Sequence, residues 1–130
     1  MTIAADKIRA KNPNALIAYE NDLTIGVEHH SDPDGRMYTL EYASTHDGEH
    51  AVSFCRYSPW GDLRAGWDGH VDRQQGLICT GPKIHSLGTT NPNSYNTVKA
   101  SPYTIDWIIE RSQYWTALYS YYRETGTFPG

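Results

Sequence analysis

Cysteine is scarce in this chain: Cys55 and Cys79 are the only two in 130 residues. That is too few for the disulfide framework of a small secreted module, and both are expected as reduced thiols. No apolar run approaches the roughly 18 residues of a membrane span. The N-terminus, Met1-Thr2-Ile3-Ala4-Ala5-Asp6, lacks the charged and apolar blocks of a signal peptide, so a cytoplasmic protein without a membrane partner is the expectation. A basic excess is missing too. Eleven Lys and Arg against 15 Asp and Glu give a net charge of −4, which argues against nucleic acid, whose phosphates demand positive surface. Phenylalanine is rare, two residues against ten Tyr and four Trp, so much of the core carries polar tips that need hydrogen-bond partners. Internal repeats and low-complexity segments are absent, and the length suits one domain, residues 1–130.

What is present is periodicity. Ala4 to Lys11 reads as a short helix broken by Asn12-Pro13-Asn14. Leu23, Ile25 and Val27 then alternate with Thr24, Gly26 and Glu28, the pattern of a half-buried strand. The turn Ser31-Asp32-Pro33-Asp34-Gly35 leads to a second alternation, Tyr38, Leu40 and Tyr42. A turn at His46-Asp47-Gly48 leads to Ala51 to Tyr57, where Val52 and Phe54 are expected to face the core and Cys55 the opposite side. The result is an antiparallel meander of three strands, or four when Ala15 to Tyr19 pairs in front.

Ser58-Pro59-Trp60-Gly61-Asp62 ends the meander, and the chain up to Gly69 has no period, so it reads as a loop across a sheet face. Thr80 to Ala100 is long, aperiodic and rich in Gly, Pro, Asn, Ser and Thr, which is unusual in a compact domain unless the segment is functional. The last element is a helix. Ser101 suits its N-cap, Pro102 its first position, and Gly126 and Pro129 follow its end. Ile105, Ile108, Ser112, Trp115, Tyr119 and Tyr122 form its inner stripe, with Glu110, Arg111 and Arg123 on the wet side. The fold class is α+β, the meander carrying this helix on one face.

Chemistry concentrates between Gly69 and Cys79. Cys79 is the best candidate nucleophile, with His70, Lys83 and His85 the nearest groups able to activate it. The alternative is a structural cysteine in a buried strand Leu77-Ile78-Cys79. A Cys-His hydrolase would want Cys79 at a helix N-terminus, which Gly81-Pro82 make difficult. A zinc site from Cys55, His70, Cys79 and His85 has the right ligand types, but the spacings of 15, 9 and 6 hold no paired knuckle, so no metal or other cofactor is expected. Trp60, Trp67, Trp107 and Tyr121 lie off the helix stripe or in loops and are the candidates for partner binding.

The order meander, histidine, glycine-containing turn, apolar-cysteine, terminal helix resembles the ubiquitin-conjugating fold, in particular its divergent bacterial members. His70 matches the histidine of the His-Pro-Asn motif, and Cys79 matches the thioester cysteine, preceded by Gly76-Leu77-Ile78. The resemblance implies a carrier that accepts a ubiquitin-like C-terminus on Cys79 from an activating enzyme, with His70 holding the turn rather than moving protons. The chain departs from the motif at two places, Val71 for proline and Asp72 for asparagine. The family's asparagine stabilises an oxyanion, and an ionised aspartate cannot donate. Thr80, Asn91, Asn93, Asn96 or backbone N–H groups would have to replace it in an active carrier. A binding module on the same fold, or an unrelated small domain with a structural Cys79, are the other readings.

Overall fold

A computed structural model describes residues 1–63, 66–87 and 94–129. Helix α1 (Ile3–Lys11) starts at Thr2, whose hydroxyl accepts the Ala5 N–H, and it buries Ala4, Ala5 and Ile8. Four strands follow, β1 (Leu16–Glu20), β2 (Leu23–Ser31), β3 (Met37–Thr45) and β4 (Ala51–Tyr57). They pair antiparallel in the order β1-β2-β3-β4, so the fourth strand at Ala15 to Tyr19 is real. The turns are those expected: Gly35 and Gly48 take positive φ at the two predicted hairpins. At the β1–β2 turn the positive φ falls on Asn21, a residue type that tolerates it.

The closing helix α2 (Ile105–Thr125) starts three residues later than the expected N1 at Pro102. Its N-cap is Thr104, whose hydroxyl accepts the Trp107 N–H; Ser101 instead accepts the Tyr103 N–H and so caps a turn ahead of the helix. Gly126, at φ +81, ends it. All six residues of the predicted stripe are buried. Arg123 corrects the wet side: its guanidinium is sunk against the 60–62 loop, donating to the Asp62 and Trp60 carbonyls and pairing with the Asp62 carboxylate.

Register explains how the helices settle on the sheet. Gly26 lies opposite Tyr42, which lies opposite Ser53, and small residues flanking a large one leave two hollows. Ile8 of α1 fills the first, where a Cβ on Gly26 would stand 2.7 Å from Ile8 Cδ1. Ser112 of α2 fills the second and donates to Ser53 Oγ at 2.6 Å. The polar tips that the aromatic composition calls for find partners here: Tyr42 OH donates to the buried Glu28 carboxylate, and Tyr38 OH meets Ser120 Oγ at 2.6 Å.

The half-buried picture of the sheet is corrected, because its second face is covered as well. Leu23, Ile25, Ala43, Val52 and Phe54 pack against Leu77, Ile84 and Val98. The segment after Cys79 therefore serves as a second layer, built from short 3-10 turns at Pro82–Leu87 and Ser94–Thr97. Cys55 does face away from Val52 and Phe54, but toward the helix-side core, where it is 4% exposed. Among the described residues no helix is long and apolar enough to cross a membrane.

Candidate functional site

The outer edge of β4 is met by a short hairpin at residues 71–78. Val71 bridges Ile78, and Phe54 of β4 bridges Leu77. The Cys55 N–H donates to the Gly76 carbonyl at 2.8 Å and the Ile78 N–H to the Ser53 carbonyl at 3.0 Å, so the hairpin acts as a fifth, minimal strand. Gly76 makes this docking possible. It sits at φ +82, and a Cβ there would fall inside contact distance of the Cys55 carbonyl oxygen, which no L side chain could occupy without displacing the backbone.

Asp72 organises the hairpin turn. Its carboxylate accepts the Gln75 N–H at 2.7 Å, and its own N–H and carbonyl pair with Leu77 and Gly76. It is buried and does not line the groove that holds Cys79. The geometry uses the Asp72 carboxylate as an acceptor within the turn.

His70 opens the hairpin with φ +56, a costly geometry for a residue with a Cβ. Its carbonyl accepts the Cys79 N–H at 2.8 Å, which ties the histidine and the cysteine at backbone level. Its ring stacks on Phe128 with centroids 4.0 Å apart. Two tryptophans of α2 hold the ends of this segment. Trp115 Nε1 donates to the Gly69 carbonyl at 2.9 Å, just before His70, and Trp107 Nε1 donates to the Thr80 carbonyl at 3.0 Å, just after Cys79. Their spacing of eight residues is about two helical turns, which sets the span of the grip.

Cys79 is half-buried. Its thiol donates to the Gly81 carbonyl at 3.7 Å. Burial pushes the thiol up from its ordinary range, and a backbone hydrogen bond with Gly81 partly opposes this. It opens on a groove of about 450 Å³ that runs along α2, lined by His70, Arg111, Tyr114, Leu118 and Phe128 among others. Cys55 differs sharply: its thiol donates to the Tyr57 carbonyl and burial pushes its pKa up to about 12. Thr80 is 4% exposed, lines the groove, and its hydroxyl is the one buried side-chain polar atom among the described residues without a hydrogen-bond partner. Of the other candidates for an oxyanion donor, Asn96 lines a separate hollow with Asp22 and Lys99, and Asn91 and Asn93 lie outside the described residues.

The aromatic candidates separate. Trp107 is 38% exposed, but its N–H is committed to Thr80, its ring stacks on Tyr103 and Arg111 lies 4.0 Å from its centroid. Trp60 packs against the helix-side core, donates to Ser120 Oγ and lies under Arg36. Tyr121 is exposed on α2. The side chain of Trp67 lies outside the described ones, as does that of His85. Of the four residues weighed as zinc ligands, His70 and Cys79 share the groove while Cys55 points into the core. Among the described residues no three His, Cys, Asp or Glu side chains gather as a metal site would require.

The role of Trp115 and Trp107 in fixing the Cys79 loop is not visible in the sequence. The helical stripe contains Trp115 only as core, and an indole N–H has no sequence signature for the carbonyl it meets. Comparison with protein-family models, with curated proteins and with solved structures finds no match.

Proposed function

We propose that the chain is a ubiquitin-conjugating-type carrier in which Cys79 holds a ubiquitin-like C-terminus as a thioester. The observation that carries this reading is the contrast between the two cysteines. Cys79 is half-buried at the wall of an open groove, whereas Cys55 is shut in the core. The order of elements supports it as well: α1, a four-stranded meander, a cysteine-bearing loop gripped by the closing helix.

The step is a thioester exchange. The Cys79 sulfur loses its proton and attacks the donor's carbonyl carbon. The bond from that carbon to the activating enzyme's sulfur breaks, and the departing thiolate takes up a proton, with no change of oxidation state. His70 and the two tryptophans hold the loop through backbone carbonyls. A thiol raised by burial is also a poorer leaving group, which slows attack on the loaded thioester by water and by amine alike. A reducing compartment such as the cytoplasm suits two free thiols.

The second reading is a non-catalytic binding module on the same fold, with Cys79 a structural thiol. It is favoured by two features: Asp72 cannot donate to an oxyanion, and burial works against thiolate formation at Cys79. One experiment separates the readings. Native protein is incubated with a glycine-terminated peptide thioester and followed by intact mass under non-reducing conditions. The carrier reading expects one acyl adduct, retained in Cys55→Ala, absent in Cys79→Ala and cleaved by hydroxylamine. No adduct, or an adduct that follows Cys55, favours the binding module.

A further inference from the structure

We propose that the groove beside Cys79 receives an acidic, extended C-terminal peptide, and that the Arg111 guanidinium is the group that recognises its carboxylate side chain. This rests on the carrier reading and adds the chemistry of the acyl donor.

The distribution of charge is the first observation. The chain holds 15 acidic residues and a net charge of −4, yet between Asp72 and Asp106 there is no Asp or Glu at all, while Arg73, Lys83 and Lys99 fall in that interval. Among the described residues, none that lines the groove is acidic. The wall of the groove at Cys79 is therefore without negative charge among the described residues, although the chain as a whole has an acid surplus, as attraction of an anionic partner requires.

Arg111 is the second. Arg36, Arg56 and Arg123 each pair with carboxylates of their own chain. Arg111 pairs with none among the described residues; its guanidinium lies over the Trp107 ring instead. With its Cζ 4.0 Å from the Trp107 ring centroid and no carboxylate of its own chain paired to it among the described residues, the guanidinium is placed to take a carboxylate, which Arg binds in bidentate fashion. The same Trp107 fixes the Thr80 carbonyl beside the nucleophile, so the guanidinium and the thiol are held in one frame.

Length sets the reach. Arg111, Tyr114 and Leu118 line the groove from one helix face, and the seven steps from Arg111 to Leu118 rise about 10 Å. An extended peptide covers that in about three residues. The acidic side chain is therefore expected within the first three or four positions upstream of the acyl carbon.

The test uses the full-length Cys55→Ala protein and synthetic peptide thioesters ending in glycine, with Glu, Gln or Lys placed in turn at each of those four positions. The rate of Cys79 acylation is read by intact mass at low and high salt. The expected result is one position at which Glu acylates about tenfold faster than Lys at low salt, the gap closing at high salt. Arg111→Gln removes the preference and Arg111→Glu reverses it. Both variants are at an exposed helical position and keep good helix formers. The inference is overturned if no position shows a charge preference, if the preference survives in Arg111→Glu, or if it is lost instead in Lys83→Gln; in each case acylation of Cys79 persists and the carrier reading stands. Failure of every peptide to acylate Cys79 overturns both.

Discussion

Replacing Gly76 with alanine should unfasten the hairpin that presents Cys79, at a cost that can be worked out from two independent contributions. The first is conformational. Gly76 sits at φ +82, where an L side chain costs roughly 1–2 kcal/mol. The second is steric. The new Cβ would overlap the Cys55 carbonyl oxygen and stand 3.4 Å from both the carbonyl carbon and the nitrogen of Cys55. All three are backbone atoms of a strand, so relief requires moving the hairpin off β4. That forfeits the Cys55 N–H to Gly76 and Ile78 N–H to Ser53 hydrogen bonds, each contributing roughly 0.5–1.5 kcal/mol net. The total is roughly 2–5 kcal/mol, a large share of the roughly 5–15 kcal/mol that holds a domain of this size folded.

Gly35 supplies the control. It has nearly the same φ, +85, but nothing lies within 4 Å of a Cβ built there, so Gly35→Ala carries the conformational cost alone. Urea unfolding of both variants, with unchanged slopes, gives the difference directly. Gly76→Ala is expected to lose about 1–3 kcal/mol more than Gly35→Ala, reflecting the two lost hydrogen bonds, and to speed labelling of Cys79 in the native protein. Equal losses at the two glycines would refute the claim that close packing of the hairpin on β4 holds the site.

Three further outcomes are expected. In native protein, iodoacetamide should modify Cys79 and leave Cys55 untouched, with a rate that climbs as pH rises because burial holds the Cys79 thiol above its ordinary range; peptide mapping that finds Cys55 labelled first would contradict the burial. Stability should fall in alkali. Burial raises Cys55 from 9.0 and Tyr38 from 10.0 to about 12 each, so the unfolded chain releases these protons first; stability is complete below about pH 9 and is lost toward pH 12, at up to about 1.4 kcal/mol per pH unit for each group, and a urea midpoint flat to about pH 11 would count against it. Thr80→Val should stabilise the fold by roughly 1 kcal/mol or more, since the Thr80 hydroxyl is buried without a partner among the described residues and an apolar isostere removes that desolvation cost; a drop in melting temperature would mean the hydroxyl has a structural role.

Local chemistry is legible in the sequence where one residue decides the backbone. Gly35, Gly48 and Gly126 adopt the positive φ that their turns and helix end require, and the stripe of α2 is buried at all six expected positions. The start of α2 is not legible in the same way, because Ser101 and Thr104 both make good caps, and only the contact of Thr104 with the Trp107 N–H distinguishes them. The helical position of Arg123 points to water and says nothing about the 60–62 loop folding over it. For the candidate site, His70 and Cys79 stand out together in the sequence and share the groove. The turn-holding role of Asp72 and the grip of the two tryptophans on the loop depend on which backbone groups lie opposite them, and no residue pattern records that.

The division has a physical cause. Alternation in the sequence states which residues share a face of a strand, and by itself it separates Val52 and Phe54 from Cys55. It does not state what lies over either face. Only the tertiary structure decides that the segment after Cys79 covers the second face of the sheet, that Cys55 is enclosed in a core on the other side, and that Cys79 is left half-buried beside a groove. Burial is the sum of contacts between residues distant in sequence, and the exposure of the one cysteine on which the proposed chemistry rests is a property of that sum.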